Sequence, residues 1–290
     1  MPSQELAGRA AVITGGSRGL GRAIAGRFVE EGASVLLVAR ELAALEAACR
    51  QLAGATVSPG QHVEALAGDV ADPATAEAVA LAARERFPDL QILVNNAGVY
   101  GPMGRFEQLD FEAWTQALRI NLLGTARLCR AVIPLLRARN YGKIVNLSGG
   151  GASAPLPRFS AYAASKAAVV RLTETLAEEL RDAHVDVNAL APGALDTRLL
   201  EEVLAAGPQR VGREFHERAQ RLRQGEATPL ARGADLAVFL ASKRSDGITG
   251  RLLSAVWDAW AELPARRSQL ESSDVFTLRR IVPRDRGFDW

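Results

Sequence analysis

The chain has 290 residues, which suits one large α/β domain, since such folds often exceed 200 residues as a single unit. Hydrophobic residues make up 48%, and 35 basic and 33 acidic side chains are interspersed to give a formal net charge of +2. This balance lacks the one-sided basic surface that nucleic-acid binding requires, and no apolar run is long enough to span a bilayer. Cys49 and Cys129 form no disulfide framework or metal-ligand spacing, and the N-terminus does not resemble a signal peptide. We therefore expect a cytoplasmic protein whose partner is a small molecule rather than nucleic acid or a membrane.

Short apolar segments alternate with longer segments of helical period along most of the chain. Strands are predicted at 10–14, 34–39, 62–70, 91–96, 142–148 and 185–192. Helices are predicted at 20–32, at 41–53, from Pro73 onward, at 110–139 and at 160–183. Nearly continuous apolar strands with helices between them indicate a parallel sheet covered on both faces. With right-handed crossovers, this pattern predicts a single-domain, doubly wound α/β fold over residues 1–258.

Two segments depart from this alternation. Residues 198–227 are heavily charged and follow the last predicted strand, where either a mobile lid or a solvated pair of helices is expected. Five arginines of this segment suggest a polar or anionic substrate; they are Arg210, Arg213, Arg218, Arg221 and Arg223. The tail at 259–290 is rich in aromatic residues, so we expect it to dock on its own or a neighbouring subunit. The alternative is a loosely ordered appendage.

The motif TGGSRGLG at 14–21 lies between a predicted strand and a predicted helix. Gly15 permits a tight turn, Gly19 lets the backbone approach a pyrophosphate, and Gly21 allows close packing of the helix on the strand. The helix N-terminus supplies unpaired N–H groups and the positive end of its dipole for the phosphates. The motif therefore predicts a dinucleotide site.

The next strand ends in Ala39-Arg40 and indicates which dinucleotide binds. Dinucleotide folds that prefer NAD place a carboxylate here for the ribose 2′-hydroxyl. Ala39 supplies no negative charge, whereas Arg40 offers a planar donor group suited to a 2′-phosphate, and Arg18 can add a second positive charge. The sequence therefore favours NADP over NAD. Asp69, after the third strand, can accept a hydrogen bond from the adenine amino group.

Tyr162 and Lys166 are four residues apart on a predicted helix, which places both side chains on one face. A free tyrosine with a pKa near 10 is a poor base at neutral pH. A nearby ammonium group and an oxidised nicotinamide would both favour the phenolate and lower that pKa. The phenol could then protonate a carbonyl during hydride transfer, or deprotonate an alcohol in the reverse direction.

In order and spacing, TGGSRGLG, GDV, NNAG, RINLLGT, IVNLS, YAASK and APGALDT resemble the short-chain dehydrogenase/reductase family over roughly residues 5–257. The resemblance implies a Rossmann fold, a nicotinamide dinucleotide cofactor, alcohol–carbonyl interconversion and a homodimer or homotetramer. It also implies that Tyr162 is the general acid/base, that Lys166 lowers its pKa, and that Asn121 keeps a water in a proton relay. The cofactor-binding residues that it implies are Gly15, Ser17, Arg18, Gly19, Leu20, Gly21, Arg40, Asp69, Val70, Asn96, Ala97, Gly98, Tyr162, Lys166, Pro192, Gly193 and Thr197.

The chain departs from this family at the catalytic serine, which usually lies thirteen residues before the tyrosine. That position is Gly149 here, and Ser148 is the nearest hydroxyl. Ser148 is the expected substitute, although neighbouring strand residues point to opposite faces. Ser153, a backbone N–H of the glycine run, or no donor at all are the alternatives. The functional alternatives are a cofactor-binding regulatory or scaffold protein with little turnover, and an epimerase or dehydratase that uses bound cofactor.

Overall fold

The computed structural model describes residues 4–290 and has one seven-stranded sheet in the order β3-β2-β1-β4-β5-β6-β7, with every neighbouring pair parallel. Residues 1–3 of the predicted domain lie outside the described residues. The strands are β1 Ala10–Thr14, β2 Ser34–Ala39, β3 Val63–Ala67, β4 Leu90–Asn95, β5 Gly142–Leu147, β6 Val185–Ala191 and β7 Leu252–Ser254. The predicted doubly wound parallel α/β fold is confirmed.

Helices cover both faces of this sheet. They are α1 Gly19–Glu30, α2 Leu42–Ala53, α3 Pro73–Arg86, α4 Phe111–Leu118, α5 Thr125–Ala138, α6 Ser160–Glu179, α7 Arg198–Val211, α8 Arg213–Arg221, α9 Leu230–Ala241 and α10 Arg267–Glu271. One buried cluster joins the sheet to α1, α2 and α9, and another joins it to α3, α5 and the end of α6. Successive residues of β1 belong to different clusters, as the pleat of a strand requires: Ile13 lies in the first and Val12 in the second.

The structure differs from the sequence prediction at several elements. The third strand is shorter than the predicted 62–70, and neither α9 nor β7 was predicted. A π-helical segment, Arg119–Gly124, joins α4 to α5 where a single helix was expected. Such segments are frequent at functional sites, and this one carries Asn121. The charged segment forms α7 and α8, and α7 is interrupted at Gly207, whose φ of 75° lies outside the helical region.

Part of the tail lies against β7 and α6 of the same chain. The Leu252 N–H donates to the Phe276 carbonyl at 2.8 Å, and the Leu278 N–H donates to Glu174 Oε1 at 2.6 Å. The guanidinium group of the buried Arg251 donates to the carbonyls of Ser273 and Val275. These bonds give the backbone of 270–278 partners along the outer edge of the sheet. In the described range 4–290, no helix has the length and apolar character needed to cross a bilayer.

Candidate active site

The predicted site residues gather around one cavity of about 580 Å³ at the carboxyl ends of the strands, the usual ligand position in open α/β sheets. Those that line it are Gly15, Ser17, Arg18, Gly19, Leu20, Arg40, Asp69, Val70, Asn96, Ala97, Gly98, Ser148, Tyr162, Lys166, Pro192 and Thr197. Three predicted residues do not line it: Gly21, Asn121 and Gly193. The fold thus brings together residues separated by more than 150 positions of sequence.

The glycine motif, residues 14–21, forms a cradle for a ligand at the start of α1. The cradle is open because its glycines carry no side chains. A Cβ at Gly21 would lie 2.2 Å from the Gly15 carbonyl oxygen, and a Cβ at Gly15 would lie 2.7 Å from Asn96 Nδ2. Gly15 and Gly19 also have φ values of 64° and 55°, a region that glycine adopts without strain. Gly21 therefore does not line the cavity, and its role is to let α1 pack closely against the backbone of Gly15. The cradle at the start of α1 fits a dinucleotide pyrophosphate.

Thr14 and Asn96 tie the glycine motif to the end of β4. Thr14 Oγ1 accepts hydrogen bonds from the backbone N–H groups of Asn96 and Ala97, both at 3.0 Å. Asn96 Nδ2 donates back to the Thr14 carbonyl at 2.9 Å. No role was predicted for the side chain of Thr14. Thr14 is the last residue of a buried strand and the first residue of the motif, and this position was the signal available in the sequence.

Arg18 and Arg40 lie exposed at one end of the cavity, where an adenosine ribose and its 2′-substituent would be held. Glu41 shares this wall, and its carboxylate is 3.5 Å from the Arg18 guanidinium. The local charge is therefore two cations and one anion. Asp69 Oδ1 accepts from the Ala71 N–H at 2.9 Å, which fixes the turn after β3 and leaves Oδ2 for a ligand.

Tyr162 and Lys166 lie on the first half of α6 and are almost completely buried. Lys166 Nζ lies 5.7 Å from the centroid of the Tyr162 ring and donates to the Leu147 carbonyl at 2.6 Å. Burial raises the pKa of Tyr162 above its ordinary value, and the Tyr100 phenol raises it further. Burial also lowers the pKa of Lys166 to about 8. In the protein alone, burial therefore opposes the depression of the Tyr162 pKa expected from the sequence.

The lowered pKa of Lys166 predicts a specific pH dependence of stability. Below pH 8 both folded and unfolded chains carry the lysine proton, and the folded chain bears the full cost of burying the charge. Between about pH 8 and the unfolded value of 10.5, the unfolded chain binds more protons, so the free energy of unfolding rises with pH. The shift corresponds to about 3 kcal/mol. Urea unfolding at pH 7.5, 8.5 and 9.5 should show a rise in the wild type that Lys166→Met lacks; parallel curves would contradict it.

Asn121 lies on the π-helical segment and is buried, with its side chain bonded to protein groups. Its Oδ1 accepts from the Val99 N–H at 2.9 Å, and its Nδ2 donates to the Val99 carbonyl at 2.8 Å and to Ser165 Oγ at 2.9 Å. It therefore clamps the segment after β4 to α6. A Cβ at Gly98 would lie 3.2 Å from Asn121 Oδ1 and 3.5 Å from Lys166 Nζ, so Gly98 keeps the space between them open.

Gly149 faces Tyr162 directly. A Cβ at this position would lie 2.2 Å from Tyr162 Oη, so the phenol occupies the space that a side chain would need. Ser148 is 4% exposed and lines the cavity, and its Oγ has no hydrogen-bond partner among the described residues. Ser153 is exposed and does not line the cavity, and Ser160 Oγ accepts from Trp114 Nε1 at 3.1 Å. Among the three serines, Ser148 alone is both buried and unpartnered.

The segment after β6 closes the other end of the cavity. Pro192 and Thr197 line it, whereas Gly193 has a φ of 89° and packs away from it. A Cβ at Gly193 would lie 2.7 Å from both Thr228 Oγ1 and Val256 Cγ2. Gly193 thus allows this segment to bend against its neighbours.

The five arginines named above for the charged segment do not line this cavity and are exposed, whereas Arg198, at the start of the segment, does line it and is half-buried. Arg223 pairs with Asp196 and Glu201, and Arg221 pairs with Glu226. The suggestion of an anionic substrate came from composition alone and is not supported by this placement, because charges on the outer face of an amphipathic helix contact solvent. In the described part of the chain, no cluster of three or more His, Cys, Asp or Glu residues could hold a metal ion.

Comparisons with known proteins agree with this geometry. The family model for short chain dehydrogenases matches residues 9–207. Short chain dehydrogenase pigC of Monascus ruber is 31% identical over 96% of this chain and 88% of that protein. L-sorbose reductase from Gluconobacter frateurii, solved with NADPH and L-sorbose, has 31% identity and a TM-score of 0.76 over 86% of this chain and 95% of that one.

Levodione reductase is also similar in structure, with 28% identity and a TM-score of 0.78 over 90% of this chain and 99% of that chain. The match of the family model, the parallel sheet and the glycine cradle agree with one another. Fold, motifs and relatives therefore lead to one assignment. The chain belongs to the short-chain dehydrogenase/reductase family and is an NAD(P)-dependent oxidoreductase that acts on CH–OH groups.

Proposed function

We propose that this protein uses NADP(H) in preference to NAD(H) and interconverts an alcohol and a ketone or aldehyde, with Tyr162 as general acid/base. The observation that carries the proposal is the shared cavity. One wall holds the glycine cradle with Arg18 and Arg40, and the other holds Tyr162 with Lys166. A dinucleotide held along the first wall would present its nicotinamide beside the tyrosine.

The glycine cradle, with Arg18 and Arg40, would hold a nicotinamide dinucleotide, which would supply or accept the hydride. Tyr162 donates its Oη proton to the substrate oxygen during reduction and accepts a proton during oxidation. Lys166, held by the Leu147 carbonyl, places a positive charge near the phenol that favours the phenolate. Ser148 Oγ, buried without a partner, supplies the hydrogen bond that polarises the substrate oxygen. Asn121 keeps the segment around Val99 against α6, which preserves this arrangement.

NADPH consumption followed by absorbance tests the proposal. Purified protein would be mixed with NADPH and then with NADH across ketones, aldehydes and keto-sugars. We expect turnover of at least one carbonyl compound, faster with NADPH at equal concentration. Saturable binding of NADPH without turnover of any compound would contradict the proposed activity.

Arg40 should determine much of the cofactor preference. Its guanidinium is exposed at the cavity wall and can pair with a 2′-phosphate, which NADH lacks. We expect Arg40→Ala to raise KM for NADPH about tenfold and to leave KM for NADH within about twofold, since one hydrogen bond to a charged group contributes roughly 1.5–3 kcal/mol.

The control for this experiment is Glu41→Gln, which removes the anion of the same wall. It should lower KM for NADPH or leave it unchanged, because no carboxylate then opposes the phosphate. An equal rise of both KM values in Arg40→Ala would contradict a role in distinguishing the two cofactors.

A further inference from the structure

The glycine turn, residues 148–152, contains three consecutive glycines beside the proposed general acid/base. Consecutive glycines have more conformational freedom than other residues, so their position depends on what holds the two ends of the run. At the start, the Ser148 N–H donates to the Leu190 carbonyl of β6 at 2.8 Å. At the end, the Ala152 N–H donates to the Gly149 carbonyl at 3.2 Å and closes the turn.

The glycine turn packs directly against α6. Gly149 faces the Tyr162 hydroxyl, and a Cβ at Gly151 would lie 2.8 Å from the Cβ of Ala163, the next residue of α6. Gly151 also has a φ of 90°, which a residue with a side chain would adopt only with strain. The backbone of the turn is therefore in close contact with the part of α6 that carries Tyr162. A shift of the turn changes the position of the buried Ser148 hydroxyl relative to that of Tyr162.

The first side chain after the three glycines is the methyl group of Ala152, which is 7% exposed. It is buried in one cluster with Val170 of α6 and Ala189 of β6. Leu252 of β7 and Leu278 of the tail pack against this cluster. The end of the glycine turn is thus anchored by apolar packing, and the tail contributes Leu278 to that packing.

Two side chains of α6 hold the backbone of Leu278. The Leu278 N–H donates to Glu174 Oε1 at 2.6 Å, and the Arg171 guanidinium donates to the Leu278 carbonyl. Arg171 and Glu174 also pair with each other at 2.6 Å. Hydrogen bonds to charged groups are stronger than neutral ones, and here they hold one residue of the tail from both sides. The tail is therefore bound in one register, with Leu278 at the cluster that contains Ala152.

We infer that Leu278 is a positioning residue for the active site. Its side chain completes the packing that anchors Ala152, and through this anchor it holds the glycine turn against α6. Leu278 does not line the cavity, so it acts through Ala152 and not by contact with a substrate or cofactor. The inference rests on the proposed roles of Ser148 and Tyr162, and it gives the C-terminal tail a part in the reaction.

Hydrogen–deuterium exchange of the full-length protein tests the anchoring without any turnover. We expect Leu278→Ala to speed exchange in the peptide that contains the glycine turn at least about tenfold, because the cavity left by the leucine loosens the cluster. Leu278→Met, of similar volume, should stay near the wild type, and Ile281→Ala, 55% exposed in the same tail, should match it. Unchanged exchange in Leu278→Ala would overturn the inference. Equally faster exchange in β1 would also overturn it, because the effect would then be general destabilisation.

Steady-state kinetics with a carbonyl compound that the wild type reduces test the consequence for the reaction. A misplacement of about 1 Å can cost about 100-fold in rate, so for a smaller shift of the turn we expect Leu278→Ala to lower kcat about tenfold. KM for NADPH should stay within about twofold, since the glycine cradle does not contact the tail cluster. Leu278→Met should restore most of kcat. Below the unfolding transition, a loss of stability alone leaves kcat unchanged, so wild-type kcat in Leu278→Ala would overturn the positioning role.

A double-mutant cycle tests whether Leu278 acts through Ala152. Ala152→Gly removes the methyl group that is buried in the cluster, so in that background Leu278→Ala should neither lower kcat nor speed exchange of the glycine turn any further. Additive effects of the two substitutions would overturn the inference. If the wild type reduces no carbonyl compound, the proposed activity fails, and the exchange measurements alone decide whether Leu278 anchors the turn.

Discussion

Tyr162→Phe is expected to lower kcat at least 10³-fold and to leave NADPH affinity within about twofold. The substitution removes only the phenolic oxygen, whereas the ring keeps its place between the Tyr100 ring and Lys166. General acid/base groups typically contribute 10²–10⁴-fold to rate. Steady-state kinetics, with fluorescence titration of NADPH, would measure both quantities on the same preparation.

Tyr100→Phe is the matched control for this variant. Its ring centroid is 4.7 Å from that of Tyr162, and its hydroxyl lies in the same apolar cluster. We expect Tyr100→Phe to keep kcat within about tenfold, since the ring contacts persist and Tyr162 retains its proton. A larger loss of kcat in Tyr100→Phe than in Tyr162→Phe would mean that Tyr100, and not Tyr162, transfers the proton.

Most of the fold was accessible from sequence because most of its strands and helices carry a local signal. Strands such as Ala10–Thr14 and Ser34–Ala39 are short apolar runs, and their burial from both faces removes the alternation of polar residues. The π-helical turn at Arg119–Gly124 carries no such signal, because the apolar period of the flanking helices continues through it. β7, of three residues, lies below the length at which a pattern is distinct.

The site was predictable where spacing along one element fixes geometry. Tyr162 and Lys166 are one helical turn apart, and both line the cavity. The inward apolar face of residues 198–227 was not predictable from composition, because the charged residues of α7 and α8 outnumber the apolar ones that are buried in the cluster with Tyr162. Burial of Lys166, which lowers its pKa to about 8, likewise depends on packing that the sequence does not encode locally.

Gly149 is the position where the sequence departs from the family. After Tyr162→Phe, we expect the other large loss of kcat when Gly149 is substituted. A Cβ there would lie 2.2 Å from Tyr162 Oη and 3.2 Å from Cζ, so the phenol must move. Because Tyr162 is packed against Tyr100, movement of the hydroxyl also disturbs its alignment with a substrate oxygen. A misplacement of about 1 Å can cost about 100-fold in rate, and we expect that loss in kcat for Gly149→Ala.

Gly150→Ala is the control that separates this contact from a general effect of adding a methyl group to the glycine run. A Cβ at Gly150 would meet nothing within 4 Å, and neither glycine has a positive φ, so backbone strain is not involved in either substitution. Gly150→Ala should therefore match the wild type in kcat and in NADPH affinity. If Gly149→Ala turns over at the wild-type rate, Tyr162 shifts without loss of activity. The position of the Tyr162 hydroxyl would then not depend on the lack of a side chain at residue 149. If Gly149→Ala is slow and Gly150→Ala is not, Gly149 is required because the phenol occupies the space that a side chain would need. The buried hydroxyl of Ser148, which has no partner among the described residues, then remains the proposed donor to the substrate oxygen.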